Sequence, residues 1–348
     1  MCEPLKKLKE ALLSRNIKTV AIVMHPNPDP DCIGAALGLN KILQTWNSEI
    51  KTSYLYSGEI SHAQNKTMVN VLNIAMVNIN ELEDIDSQFD TFIAVDVMPE
   101  RCFGEDKREF LMVIDHHKSD TELAEIRDIR YVGATSSIIW DYMQKEGIEL
   151  QDDDNDSIVA TALAMGIKSD TSDLVTENTT DLDWEASQGL MGYIDRRKLQ
   201  AITHYPIPPY HFELRSKLDK DENIKIHGSV FVGGVGYISP TKRDALPTMA
   251  DERSRAEGID TAFVFAIVGD FIEVSVRSVG LSVDVNALCQ KIFGKQYAGG
   301  KMGAGASKIP LGFLALDPNM SDELKAKMWE AVKELMIDKI LHVVSGNA

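Results

Sequence analysis

The chain has 348 residues, of which 44% are hydrophobic and 26% are charged, as in a globular protein and not in a disordered or low-complexity one. At roughly 150 residues per domain, this length predicts about two domains. The formal net charge of −17 repels polyanions at long range. Extended binding to long DNA or RNA is therefore not expected, and a nucleic-acid substrate should be short.

The cysteines and the apolar segments indicate a protein of the reducing cytoplasm. The 4 cysteines lie far apart and share no CxxC spacing, which argues against a zinc site and against a disulfide framework. The N-terminal segment places leucines at helical spacing between lysines, and no apolar stretch of signal-peptide length follows it. Because no run of about 18 apolar residues occurs, neither a transmembrane helix nor a membrane partner is expected.

The N-terminal half alternates short apolar runs with helical patterns, which predicts an α/β domain with a parallel, doubly wound sheet. The predicted strands are Lys18–Met24, Lys51–Tyr56, Thr91–Val97 and Leu111–Ile114. The predicted helices are Ile33–Trp46, Gly133–Lys145, Ser157–Lys168 and Asp181–His204. Asn155 and Asp156 are the expected caps of the third of these helices.

The boundary between the domains is predicted at the proline-rich segment Tyr205–Pro209, which cannot continue a helix. We expect an N-terminal domain over residues 1–185, a linker helix and hinge over 186–209, and a smaller α/β domain with a mixed sheet over 210–348. The predicted strands of that smaller domain are Ile224–Ile238 and Thr261–Arg277, the latter turning at Gly269–Asp270. Its predicted helices are Ala245–Glu257, Val283–Phe293 and Ser321–Ile340.

Four polar clusters directly follow apolar runs of the N-terminal half. They are His25–Asp31 after VAIVM, Asp96 after FIAV, Asp115–His117 after MVI, and Asp170 after TALAMGIKS. Taken alone, an Asp after a strand is most often a helix cap or a turn residue, and a lone His is most often a satisfied surface or core group. Because parallel sheets bind ligands at the carboxyl ends of their strands, the ordered set predicts one shared site.

The side chains of these clusters match the needs of two-metal phosphoester hydrolysis. Two divalent cations roughly 4 Å apart supply both a nucleophile at neutral pH and a counter-charge for the phosphoryl group. The carboxylates of Asp29, Asp31, Asp96 and Asp170 together carry four negative charges, which two divalent ions neutralise. Oxygen-rich sites with some imidazole favour two Mn²⁺ ions, with Mg²⁺ or Co²⁺ as substitutes.

The same clusters carry a family resemblance. Four segments resemble the ordered motifs of the DHH phosphoesterase superfamily, namely HPNPDPDCIGA, FIAVDV, VIDHH and GIKSDTSDL. Two further segments resemble its DHH-associated C-terminal domain, namely VRS at 276–278 and AGGKMGAGAS at 298–307. The resemblance covers residues from about 18 to 315. It implies a metal-binding catalytic domain over 1–185 and a substrate-binding domain over 210–348.

The resemblance implies a role for each residue of the N-terminal clusters. The implied ligands of one metal ion are His25, Asp29 and Asp96. The implied ligands of the other are Asp31, Asp96, His116 and Asp170, so that Asp96 would bridge the two ions. Asp115 would orient the His116 imidazole from behind. His117 would face the scissile phosphate, where it would stabilise charge or protonate the leaving oxygen.

The resemblance also implies a substrate-binding set in the C-terminal domain. Its members are Arg277, Ser278, Gly299, Gly300, Lys301 and Gly303. The glycines would let backbone N–H groups approach a phosphate, and their alternative interpretation is a hairpin or a helix connection. Arg277 would clamp a phosphate or a base. The chain departs from the family at Lys301, which stands where the family has histidine and can neither stack nor switch protonation as an imidazole does.

Within the superfamily, length and charge favour the branch of nano-RNases and 3′-phosphoadenosine phosphate phosphatases. A RecJ-type exonuclease carries further nucleic-acid-binding modules. Neither the length nor the net charge of this chain leaves room for them. The expected reaction is cleavage of short oligonucleotides, linear or cyclic dinucleotides, or 3′-phosphoadenosine phosphate to mononucleotides, by an enzyme that could form a homodimer. One alternative is an exopolyphosphatase or pyrophosphatase-like hydrolase. The other is a non-catalytic nucleotide-binding scaffold, against which the presence of all six implied ligands argues.

Overall fold

A computed structural model describes residues 2–60, 62–103, 107–117, 121–280, 283–301, 303–315 and 320–346, with only the backbone of Lys301. The chain divides into two compact units, of which one ends at Pro206 and the other begins at Ile207. Each unit is built on a six-stranded sheet covered by helices. The predicted α/β class is therefore confirmed. None of the helices in the described ranges combines the length and the apolar composition that crossing a membrane requires.

The N-terminal unit contains a parallel sheet. Its strands are β1 (Thr19–Val23), β2 (Lys51–Tyr56), β3 (Met76–Asn78), β4 (Thr91–Val95), β5 (Phe110–Asp115) and β6 (Ala124–Ile129). Its helices are α1 (Glu3–Ser14), α2 (Pro30–Trp46), α3 (Ala63–Val71), α4 (Ile85–Gln88), α5 (Thr135–Lys145), α6 (Asp154–Asp170), α7 (Asp181–Leu190) and α8 (Arg196–Thr203). The strand order is β3-β2-β1-β4-β5-β6 with parallel pairing throughout, which confirms the predicted doubly wound sheet. The order reverses between β1 and β4, where open α/β sheets bind ligands.

The central strands are apolar on both faces because a hydrophobic core lies on each side of the sheet. Val20 and Ile22 of β1 belong to the core that includes residues of α1, α2, α5 and α6. Ala21 and Val23 of the same strand point into the opposite core, with residues of β4 and β5. Strands buried on both faces read as continuous apolar runs, which is why they could be predicted from the sequence.

Local capping corrects several predicted boundaries. Helix α2 begins at Pro30 instead of Ile33, because the Asp29 side chain caps the N–H groups of Asp31 and Cys32. Helix α6 is capped by Asp153, and not by Asn155 and Asp156 as predicted. The predicted helix Asp181–His204 is two helices, α7 and α8, and Asp195 caps the second. Helix α3 and the strands β3 and β6 were not predicted, since their patterns are short.

The C-terminal unit contains the predicted mixed sheet. Its strands are β7 (Ile224–His227), β8 (Val230–Ile238), β9 (Thr261–Val268), β10 (Phe271–Ser278), β11 (Ala298–Lys301) and β12 (Ala304–Pro310). Its helices are α9 (Pro209–Leu218), α10 (Ala245–Ser254), α11 (Val285–Phe293) and α12 (Asp322–Val344). In the order β11-β12-β10-β9-β8-β7, the pair β8–β9 is parallel and the other pairs are antiparallel. One core packs under α9 and α10, and another under α11 and α12.

Two features of the C-terminal unit differ from the sequence interpretation. The glycine-rich segment contains a strand, because Ala298–Lys301 pairs antiparallel with β12. This corresponds to the hairpin alternative, and the implied contact of the segment with a phosphate stays a prediction. The proline-rich segment was predicted only to end a helix. It also starts one, because Pro209 is the first residue of α9, where a backbone N–H is not needed. The predicted turn at Gly269–Asp270 does join β9 and β10, and Gly269 has a positive φ of 57°.

Candidate metal centre

The polar clusters meet at the carboxyl edge of the N-terminal sheet. The loop from His25 to Asp29 joins β1 to α2, and Asp96 directly follows β4. His116 and His117 follow β5, the strand that pairs with β4. Asp170 is the last residue of α6, which packs against α2. The strand order thus brings together side chains that lie far apart in the sequence.

Three overlapping groups of candidate ligand atoms converge at this edge. They are His25, Asp29, Cys32 and Asp96, then Asp96, His116 and His117, and then Asp31, His116 and Asp170. Within each group the ligand atoms lie within 4.8 Å of one another. Together these groups contain all six ligands that the family resemblance implies, and they add Cys32 and His117.

Asp96 belongs to two of these groups, one with His25 and one with His116. Its Oδ2 atom is 3.9 Å from His25 Nε2, whereas its Oδ1 atom is 3.4 Å from His116 Nε2. The two oxygens of this carboxylate therefore face different imidazoles, as a carboxylate shared by two cations requires. Asp96 also has a positive φ of 57°, a conformation that side chains rarely adopt and that costs on the order of 1–3 kcal/mol. Its backbone N–H donates to the Ile114 carbonyl at 2.9 Å, which helps to hold this conformation.

Asp29 and Asp31 are fixed by backbone amides at the starts of two helices. Asp29 caps α2, because its Oδ1 atom accepts hydrogen bonds from the N–H groups of Asp31 and Cys32. Asp31 caps α5 from outside that helix, since its carboxylate accepts from the N–H groups of Thr135 at 2.7 Å and Ser136 at 2.8 Å. Helix N-termini stabilise negative charge, so both carboxylates are positioned before any cation binds.

The His116 imidazole is the strongest indication of a cation. Its Nδ1 atom donates to the Val132 carbonyl oxygen at 3.1 Å, which leaves Nε2 to face the carboxylates. Nε2 is buried and has no hydrogen-bond partner among the described residues. It faces Asp96 Oδ1 and Asp170 Oδ2, each at 3.4 Å. Buried polar atoms are nearly always paired, and a divalent cation among these three groups would satisfy them together.

The contacts of the DHH triplet correct one expected role. Asp115 Oδ1 accepts from the His117 backbone N–H at 3.0 Å and lies 2.8 Å from His117 Nδ1. Asp115 therefore orients His117, whereas the resemblance had implied that it would orient His116. The Val132 carbonyl orients His116 instead. The His117 side chain is 57% exposed, so its ring can reach a substrate.

Burial and crowded charge shift the pKa values of the cluster. Burial raises the pKa of Asp31 to about 7, and the Asp170 carboxylate adds to that effect. Burial likewise raises the pKa of Asp96 well above its usual value, with Asp31 and Asp29 as the next causes. Burial alone would lower the pKa of His116, but the carboxylates of Asp170 and Asp31 raise it to about 9. The cluster thus holds more negative charge than its surroundings stabilise, which bound divalent cations would offset.

Several contacts of the centre were missed in the sequence. The Thr135 hydroxyl donates to Asp96 Oδ1 at 3.0 Å, so it is a direct partner of that carboxylate. The Cys32 thiol donates to the Asp29 carbonyl at 3.3 Å, and burial holds its pKa well above the usual range. Ala134 cannot cap α5 with its side chain, and this is a signal for the capping role of Asp31 but not for the Thr135 hydroxyl.

The predicted substrate-binding residues share one corner of the C-terminal sheet. Arg277 on β10 pairs with Ala304 on β12, and the Ser278 N–H donates to the Gly303 carbonyl at 2.9 Å. Gly299 and Gly300 lie on β11, across β12 from β10. The Lys301 side chain lies outside the described part of the chain. The Arg277 guanidinium is engaged by Asp251, with its Nε atom 2.9 Å from Asp251 Oδ1.

Comparison with known proteins supports the family assignment of the N-terminal unit. Residues 19–167 match the model of the DHH family, N-terminal domain. An uncharacterized protein of Methanocaldococcus jannaschii is 36% identical over 325 residues, which cover 93% of this chain and 63% of that relative. The chain thus spans less than two thirds of the length of the curated relative that it matches. An exopolyphosphatase-related protein of Bacteroides fragilis shares the fold, with a TM-score of 0.67 and 15% identity over 96% of this chain and 97% of the other.

Proposed function

Residues 19–167 of this chain belong to the DHH family, and on that premise we propose that the protein is a divalent-metal-dependent phosphoesterase. Its proposed substrates are short oligonucleotides and linear or cyclic dinucleotides, together with 3′-phosphoadenosine phosphate. The observation that carries the proposal is the buried Nε2 atom of His116, which faces two carboxylates and lacks a hydrogen-bond partner in the described ranges. A catalytic two-cation centre accounts for this arrangement without a further assumption.

The residues present fit two ions. His25, Asp29 and Asp96 would hold one of them, and Asp31, Asp96, His116 and Asp170 would hold the other. When bound, the two ions would supply a nucleophile at neutral pH and would neutralise charge on the phosphoryl oxygens. Carboxylate oxygens outnumber imidazole nitrogens in this set, which favours Mn²⁺ over Zn²⁺.

His117 is the proposed acid or charge-stabilising group. Asp115 binds its Nδ1 atom and its backbone N–H, so the ring is fixed and Nε2 is left for the substrate. From there His117 would stabilise charge on the phosphoryl group or pass a proton to the leaving oxygen. Asp115 acts through His117 and is therefore a positioning residue.

A short nucleotide fits the charge of the chain better than a long polymer. The net charge of −17 opposes the approach of a long polyanion. In the C-terminal unit, Arg277 provides a guanidinium of the kind that binds phosphate with two hydrogen bonds. The Asp251 carboxylate already offsets its charge, which disfavours a highly charged polyphosphate chain as the substrate.

The proposal is tested by a product-resolved assay of the full chain with Mn²⁺. The substrates to compare are 3′-phosphoadenosine phosphate, linear and cyclic dinucleotides, longer RNA, pyrophosphate and polyphosphate. We expect mononucleotides from the dinucleotides, and no activity after chelation or in a His116→Ala variant. Release of phosphate from polyphosphate alone would replace the proposed substrate class. Absence of metal-dependent release from every substrate would overturn the proposal.

A further inference from the structure

A cavity of about 430 Å³ opens beside the metal centre, at the carboxyl ends of β2 and β3. We call it the α3 pocket, since three of its lining residues, Lys66, Val69 and Asn70, lie on helix α3. Tyr56 at the end of β2 and Glu59 in the following loop also line it. Its volume lies in the range of about 300–1,000 Å³ that is typical of small-molecule sites.

The α3 pocket adjoins the loop that carries the metal ligands of β1. Strand β2 pairs directly with β1, so their carboxyl ends lie roughly 4.8 Å apart. The loop after β2 packs on the metal loop, because a methyl group at Gly58 would lie only 2.0 Å from the Pro26 carbonyl oxygen. Helix α3 holds the same loop from the other side, where Asn65 Nδ2 donates to the Pro28 carbonyl at 2.8 Å. The pocket lining therefore touches, at Pro26, the loop that carries His25 and Asp29.

The polar groups that line the pocket are available to a ligand. Lys66, Glu59 and Asn70 are exposed, and no hydrogen bond or ion pair engages their side chains within the part of the chain that the structure describes. Tyr56 is half-buried and adds an aromatic ring, while Val69 adds an aliphatic surface. The pocket thus offers an ammonium group, a carboxylate and an amide beside an apolar wall.

The charge of this lining decides between classes of ligand. Lys66 contributes one positive charge and Glu59 one negative charge, so the described charged lining is neutral overall. A pyrophosphate or polyphosphate chain would need several cations to offset its charge. A nucleoside needs none, because it presents an uncharged base with apolar faces and polar edges. An amide such as that of Asn70 can donate to a base edge and accept from it at the same time.

We propose that the α3 pocket is a subsite for the nucleoside on one side of the scissile phosphate. Tyr56 and Val69 pack against the base, Asn70 binds its polar edge, and Glu59 accepts hydrogen bonds from ribose hydroxyls. Lys66 lies at the rim and binds phosphate as a point charge. This assignment rests on the proposed phosphoesterase function, since that function places a phosphate at the neighbouring metal centre.

The test compares two substrates that differ in the nucleoside. Asn70→Ala and Lys66→Ala variants are measured with Mn²⁺ on a linear adenine dinucleotide and on bis(p-nitrophenyl) phosphate, which has neither base nor ribose. We expect KM for the dinucleotide to rise about tenfold in Asn70→Ala. KM for the aryl diester should stay within about twofold, since the metal ligands are untouched.

Lys51→Ala is the matched control for Lys66→Ala, because Lys51 is exposed at the opposite end of β2. Equal changes for both substrates would overturn the subsite.

A binding measurement separates this inference from the proposed function. AMP is titrated into the full chain with Mn²⁺ by isothermal calorimetry, and Asn70→Ala should weaken its affinity about tenfold. If the wild type binds AMP in this Asn70-dependent way but hydrolyses no substrate, the subsite stands and the phosphoesterase function falls. If the wild type hydrolyses dinucleotides but Asn70→Ala leaves both KM and AMP affinity unchanged, the function stands and the subsite is wrong. An equal rise of KM for polyphosphate and for the dinucleotide in Asn70→Ala would also overturn the nucleoside assignment.

Discussion

The metal centre of the N-terminal unit and the glycine-rich hairpin of the C-terminal unit are built in different ways. In the metal centre, single side-chain atoms are held in place by helix amides, by a carbonyl and by the unusual backbone of Asp96. In the hairpin, the paired backbones of β11 and β12 make the structure, and the neighbouring strand β10 carries Arg277, a partly exposed side chain paired with Asp251. Substitutions in the first region should therefore remove a function, whereas substitutions in the second should mostly change stability or affinity.

The largest effect is expected from Asp96→Asn. Asn tolerates the positive φ at this position, but it removes the charge that both metal sets share. We expect kcat to fall on the order of 10³-fold or more, because a loss of several kcal/mol of charge stabilisation corresponds to that factor. The melting temperature of the metal-free chain should not fall, since a crowded buried charge is removed. An active variant would show that Asp96 does not bridge two ions.

A smaller loss is expected from Thr135→Val, which keeps the shape of the side chain but removes the hydroxyl that donates to Asp96. Partners behind a metal ligand typically contribute about 10–100-fold to metal affinity. We therefore expect the Mn²⁺ concentration at half-maximal activity to rise by about that factor, with kcat at saturating Mn²⁺ nearly unchanged. Thr248→Val in α10 is the control, because the Thr248 hydroxyl donates to the backbone carbonyl of Asp244, the residue before that helix. Unchanged Mn²⁺ dependence would mean that Thr135 has no part in the centre.

The hairpin allows a matched pair of stability variants. A methyl group at Gly300 would lie 2.4 Å from the Ala304 carbonyl oxygen, whereas one at Gly299 would meet no atom within 4 Å in the described structure. Gly300→Ala should lower the free energy of unfolding by about 1–3 kcal/mol, and Gly299→Ala should change it by about 0.5 kcal/mol or less. Chemical denaturation measures both. Equal effects would contradict the pairing of β11 with β12.

The smallest effect is expected from Asp251→Asn, which removes the charge beside Arg277. Partly exposed ion pairs contribute about 0.2–1 kcal/mol, so release of the guanidinium should lower KM for a phosphate-terminated dinucleotide by about two- to fivefold. An Arg277→Ala variant should raise the same KM. Steady-state kinetics distinguishes the two outcomes. A rise of KM in Asp251→Asn would mean that Asp251 orients Arg277 for the substrate.

The convergence of the candidate ligands was predictable because most of them follow buried parallel strands, and such strand ends meet at one edge whatever the intervening loops do. His25, Asp96 and His116 could be grouped on that basis alone. The partner of Asp115 was predicted wrongly, because the rotamers that bring it to His117 do not follow from sequence order. The Thr135 hydroxyl was missed, since it reaches Asp96 across 39 positions of the chain.

The hairpin was less predictable for a physical reason. Glycine has a low propensity for strands, so the segment Ala298–Lys301 did not resemble one. Pairing with β12 overrides that preference, and pairing between strands is a tertiary effect. The contact of Arg277 with Asp251 likewise joins a strand to a helix that is separate in sequence. The α3 pocket was not predicted either, since α3 itself has a weak apolar pattern.

The most direct test of the metal centre is the number of ions that the chain binds. The metal-free protein is equilibrated with Mn²⁺ by dialysis, and bound manganese is measured by atomic emission. We predict two ions per chain for the wild type and a loss of tight binding in Asp96→Asn, while Asp90→Asn, at the amino end of β4, should match the wild type. A wild type that binds no manganese, or an Asp96→Asn variant that still binds two ions tightly, would contradict the shared two-metal centre.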